Sequence, residues 1–279
     1  MNFLKYTGIM ILVIFAMSCK KDSNINNTDE TANLTLVKTI TNGTHNINLY
    51  TENGKLQVGY NKIFLQLKNT DGSLIDNAQV SWRPLMHMMS MQHACPYSTI
   101  GKVAGKTALY EGYLVFQMAG NANEYWELNF DYTIGNTAYS ANTKIEVTEA
   151  AKRNLVSFVG TDNVRYIIAM VAPKNPKVAT NDMQAMIFKM QDMLTFPIMD
   201  GYTLKIDPRM PGMGNHGSPN NVHLTQSGAD KTYYGKLSLT MTGYWKINLQ
   251  LANAIGTIVK GEEVSGTNES SSIYFEVEF

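Results

Sequence analysis

The sequence repeats itself, and that repeat constrains the fold more than any other feature. Residues 109–130 read LYEGYLVFQMAGNANEYWELNF, and residues 232–249 read TYYGKLSLTMTGYWKINL. Gly112 matches Gly235, Met118 matches Met241, and Gly120 matches Gly243; Trp126 matches Trp245 once four extra residues in the first copy are allowed. Upstream, RPLMHMMSMQHACP (83–96) matches DPRMPGMGNHGSP (207–219), pairing Pro84 with Pro208, Met86 with Met210, Met89 with Met213 and His93 with His216. A repeat of this length in matching order implies two copies of one domain of roughly 110–130 residues. The expected domains are 34–149 and 150–279, joined near Ala150–Asn154.

Each copy alternates like a β-strand. Ile63, Leu65 and Leu67 interleave with Phe64, Gln66 and Lys68, and Leu237, Leu239 and Met241 interleave with Ser238 and Thr240. Period-2 alternation bounded by Gly, Asn and Asp is the strand signature. About seven such segments per copy predict an all-β chain of two tandem immunoglobulin-like antiparallel β-sandwich domains. Met183, Met186, Met190 and Met193 fall at helical spacing, but the segment aligns with the strand at Ile63–Leu67, and strand is expected there. A long polar loop is expected over Gly261–Ser272, before a last strand.

The N-terminus reads as an export signal. Lys5 is the only charge before Cys19, and an uncharged stretch runs from Tyr6 to Ser18, too short for the ~20 apolar residues of a spanning helix. Ser18 directly before Cys19 makes residues 1–18 resemble a lipoprotein signal peptide, with Cys19 the lipidated first residue; Ala16 departs from the usual Leu of that pattern. Residues 19–33, which include KKDSNINNTDET, read as a flexible tether. The arrangement resembles Bacteroidetes-type lipoproteins, and Lys20 in place of Asp implies the outer membrane of the cell envelope, periplasmic or surface-facing. Composition agrees with a folded, exported chain. The 23 basic residues balance 23 acidic ones, which excludes a generally basic nucleic-acid binder. Two cysteines make no disulfide framework, and lipidation of Cys19 leaves only Cys95.

The chain has 17 methionines, and their placement carries the functional reading. Met86, His87, Met88, Met89, Met91, His93 and Cys95 fall within ten residues; the second copy has Met210, Met213 and His216, then His223. Thioether, thiolate and imidazole together select Cu(I) and suit Zn or Mg much less well. A thioether also has no proton to lose, so it holds Cu(I) without a pH penalty. The expected ligands are Met86, Met89, His93 and Cys95 in the first copy and Met210, Met213, His216 and His223 in the second, on loops at the same end of each sandwich. The competing reading is a non-metal binding or adhesion module with Met-rich interaction loops, because methionine also serves adaptable surfaces and fills cores. Met118 and Met241 are expected in the cores, and His45 is expected to be structural or solvated. No nucleophile elbow, His-Glu-x-x-His or phosphate loop is present, so no enzyme is expected.

The second copy resembles the YtkA-like family, which is related to FixH. The resemblance rests on Pro208, Met210, Met213 and His216, then Tyr233/Tyr234, Gly235, Leu237, Met241, Gly243 and Trp245. The first copy is a diverged match through Pro84, Met86, Met89, His93, Tyr110, Gly112, Leu114, Met118, Gly120 and Trp126, without the glycine spacing of the second loop and with Cys95 added. The resemblance implies immunoglobulin-like sandwiches outside the cytoplasm and a part in copper handling or oxidase assembly. The implied partners are the outer membrane, through the lipid, and a copper-receiving or copper-exporting envelope protein.

Overall fold

The computed structural model describes residues 29–279. The expected signal peptide, Cys19 and most of the expected tether lie outside the described residues. Among the described residues no helix is long and apolar enough to cross a membrane.

The first set of strands is β1 (Thr35–Thr41), β2 (His45–Thr51), β3 (Gly59–Asn69), β4 (Leu74–Ile75), β5 (Gln79–His87), β6 (Gln92–His93), β7 (Gly101–Lys102), β8 (Tyr110–Phe116), β9 (Tyr125–Ile134) and β10 (Thr137–Ile145). They form two antiparallel sheets, ordered β1-β2-β3-β8-β7 and β10-β9-β5-β6, with β4 on β3. Taking β2, β3, β5, β7, β8, β9 and β10 as A to G gives the ABED and CFG sheets of an immunoglobulin constant-type sandwich, with β6 as an added C′ strand.

The second set repeats this order: β11 (Leu155–Val159), β12 (Arg165–Ala172), β13 (Thr180–Lys189), β14 (Thr203–Met210), β15 (His216–Gly217), β16 (Val222–Gln226), β17 (Tyr233–Ser238), β18 (Tyr244–Ala252), β19 (Ile258–Lys260) and β20 (Tyr274–Glu278). Here β16 pairs with both β17 and β14, so the two layers join into one ten-stranded sheet. The strand matching β10 is split: β19 pairs with the far end of β18 and β20 with the near end, and the expected long loop runs between them.

Each sandwich has its own core. Ile63, Leu65, Leu114, Trp126 and Leu128 centre the first; Met183, Leu237, Trp245, Ile247 and Phe275 centre the second. The repeated glycines mark close approaches between strands. A Cβ on Gly112 would stand 2.7 Å from Trp82, and one on Gly235 would stand 2.5 Å from the Val222 carbonyl.

A third core lies where the outer faces of the two sandwiches meet. Val115 of β8 is buried with Ile167 and Ala169 of β12 and Met186 and Phe188 of β13, with Tyr60 and Tyr113 packed alongside. This resolves the helical spacing of the methionines. Residues three apart on a strand face opposite ways, so Met183 enters the sandwich core while Met186 enters the contact between sandwiches. A strand buried on both faces loses its alternation, which is why Ala185–Phe188 reads as an unbroken apolar run. Each large side chain buried in this contact contributes about 1.5–3 kcal/mol.

Candidate functional site

The two expected loops are in fact strand for half their length. Pro84 and Met86 belong to β5, and Pro208 and Met210 to β14; only the residues beyond them turn back as a hairpin. Each hairpin opposes a methionine and a histidine: Met86 faces His93 across β5 and β6, and Met210 faces His216 across β14 and β15. Directly opposed residues share a face of the sheet, their Cβ atoms about 4.5–5.5 Å apart. On its other side Met86 faces Trp126. In the second copy, Met210 lies one step past the Arg209–Lys246 pair, which brings it level with Trp245. A row of His, Met and Trp therefore crosses the end of each sandwich. Both Trp rings are fully buried, and their Nε1 groups donate to the carbonyls of Met118 (2.9 Å) and Met241 (3.0 Å). Those two methionines are partly buried against the cores, just past the ends of β8 and β17.

Within the rows the side chains divide by burial. Met86 and Met210 are core residues. A Cβ on Gly243 would stand 3.1 Å from the Met210 methyl, so that thioether fills the space under the Gly243 turn. Met89 and Met213 stand out on the hairpin tips, 87% and 53% exposed. The second tip is a 3-10 turn, Pro211–Met213, closed by Gly214 in the left-handed region. The structure thus does not converge Met86, Met89 and His93 on one point, because the strand turns Met86 inward while Met89 rides the tip.

The His93 ring is fixed by its neighbours. Its Nδ1 lies 2.8 Å from the Ala94 carbonyl, which can only accept, so in the neutral ring the proton sits on Nδ1. Its ring meets Trp126 edge-on at 5.5 Å. Beside it, His87 stacks on Tyr125 at 4.8 Å. Its Nδ1 bonds the Gln92 side chain, and its buried Nε2 is 3.7 Å from Glu127, too long for a hydrogen bond.

Two expected ligands lie elsewhere. Cys95 is buried in the first core, and burial pushes its thiol far above the usual range. A thiolate is disfavoured there, and the residue packs rather than ligates. His223 sits on β16, where its Nδ1 accepts from the Ile206 N–H at 3.2 Å. Ile206 precedes Met210 by four strand residues, about 13 Å, so His223 is remote from the second hairpin. Partial burial and nearby Lys205 hold its pKa below the ordinary histidine value. His45, in contrast, is buried, with Nδ1 3.1 Å from the Tyr132 hydroxyl.

Sequence reasoning missed one further element of the repeat. Asn61 and Asn181 make the same loop, each accepting from the backbone N–H four residues back (Gln57, Lys177) and donating to that residue's carbonyl. Only the asparagine and one valine recur in the sequence, in QVGYN and KVATN. Among the described residues no three His, Cys, Asp or Glu side chains gather as a metal group; the hairpins carry thioethers and imidazoles.

No family model matches the chain, and no curated protein matches it. Solved structures do, among them that of FdeC, a broadly conserved adhesin of Escherichia coli. It is 12% identical over 80% of this chain and 64% of that chain, with a TM-score of 0.25. This chain therefore spans less than two thirds of that chain, and a likeness at this level carries no functional argument.

Proposed function

We propose that the chain is a lipid-anchored protein of the cell envelope that captures or transfers Cu(I) at its two Met/His hairpins. The observation that carries the reading is the recurrence of an opposed Met–His pair, beside a buried Trp, at the same place in both sandwiches. Packing explains Met86 and Met210, but it gives no reason for Met89 and Met213 to stand in solvent on the hairpins that carry His93 and His216. Thioether with neutral imidazole is a donor set for Cu(I). Met89 and His93 would hold the ion in the first copy, Met213 and His216 in the second, and copper is cargo there rather than a catalyst. The resemblance to the YtkA-like family supports the same reading, and anchoring through Cys19 would place the hairpins outside the cytoplasm.

Competition titration with a Cu(I) chelator under reducing conditions tests this. Two Cu(I) ions per chain are expected, one lost on M89A/H93A and the other on M213A/H216A. Unchanged uptake by both double variants refutes the assignment. A second reading, a Met-rich surface for a protein partner, is favoured by the exposure of Met89, Met91 and Met213 themselves; it predicts partner binding that survives H93A and H216A.

A further inference from the structure

The second sandwich touches the first Met/His hairpin. After β13, residues 188–198 fold back on themselves, with Phe188 opposite Ile198 and the Lys189 N–H bonded to the Pro197 carbonyl. The tip is a tight turn in which Asp192 accepts from the Leu194 N–H at 2.7 Å, leaving Met193 at its crest. The Met193 carbonyl accepts from the Ala94 N–H at 2.8 Å. That bond caps the chain just beyond β6, one residue from His93, while the Ala94 carbonyl holds His93 Nδ1. The two bonds lock His93 and Met193 into one frame, although they belong to different sandwiches. Met193 is 39% exposed, and Met91 is exposed on the adjoining strand end.

We propose that Met193 supplies a soft donor to the first hairpin, so that this Cu(I) site is built from both sandwiches and binds more tightly than the second. The inference rests on the copper reading above and adds a ligand from outside the repeated segment. The second hairpin is flanked instead by the long loop, where Asn215 donates to the Glu269 carbonyl at 2.9 Å. A carbonyl oxygen is a hard donor and adds little for Cu(I).

The test uses the full chain carrying M213A/H216A, so that only the first site remains, with Cu(I) itself as the probe. Adding Met193→Leu keeps the apolar bulk and the backbone bond and removes only the sulfur. The affinity is expected to fall about tenfold or more, with one sulfur neighbour fewer in Cu K-edge absorption and no change in melting temperature. An affinity within about twofold of the M213A/H216A background overturns this inference and leaves the copper reading intact. A wild-type chain that takes up no Cu(I) overturns both.

Discussion

At the first hairpin Leu85 faces Glu127 across the ladder to β9, and that carboxylate lies 3.7 Å from His87. At the second, the matching positions are Arg209 and Lys246, one cation opposite another. Arg209 is forked onto Asp207 at 2.8 and 2.9 Å, and Lys246 reaches Ser270 of the long loop. The frames are the same and the surroundings are not: a carboxylate and Met193 stand by the first, basic side chains and a polar loop by the second. Both copies keep the buried Met and Trp that the fold needs and the Met and His of the hairpins, while the residues around the hairpins differ.

That division can be broken from either side. The largest effect is expected from Trp126→Ala and Trp245→Ala, which should each cost about 3–5 kcal/mol in denaturant unfolding, because both rings are fully buried in their cores. Equal and small losses would mean the rows are not structural. Next, Met86→Ala should cost about 2–5 kcal/mol, whereas Met89→Ala at the exposed tip should stay within about 0.5 kcal/mol. A comparable loss at both positions would remove the distinction between core and tip methionines.

A third comparison uses the paired glycines. Gly235→Ala should destabilise by about 1–3 kcal/mol, and more than Gly112→Ala, because its Cβ would strike a backbone carbonyl rather than a ring and a hydroxyl. The reverse order would show that β16 yields more easily than Trp82.

The smallest effect concerns His223. Its folded pKa is lowered, so the neutral ring is favoured by folding. The contribution is present above the unfolded value near 6.5 and is lost as pH falls through the folded pKa. Wild-type stability should therefore decline slightly more than that of His223→Asn on acidification below about pH 6.5. Parallel profiles would contradict the partial burial of His223 beside Lys205.

Much of this was legible in the chain. Strand alternation and the repeat gave the all-β sandwiches, and the order of Pro, Met, His, Gly and Trp located both hairpins. The inward turn of Met86 and Met210 was hidden because a proline beside methionine and histidine reads as loop, although Pro84 and Pro208 lie within β5 and β14. Cys95 lies in the cluster by sequence but in the core by fold, because the chain beyond β6 turns into the first sandwich. The contact between sandwiches left its mark only as the apolar run Ala185–Phe188. Nothing in the spacing of Met193 tied it to His93, because that juxtaposition exists only once the two sandwiches stack.

Cu K-edge absorption of the Cu(I)-loaded wild-type chain tests the central claim most directly. The account predicts mixed sulfur and nitrogen neighbours, with the nitrogen signal abolished by H93A/H216A. Retained copper surrounded only by oxygen and nitrogen, or a spectrum indifferent to those two histidines, would contradict it.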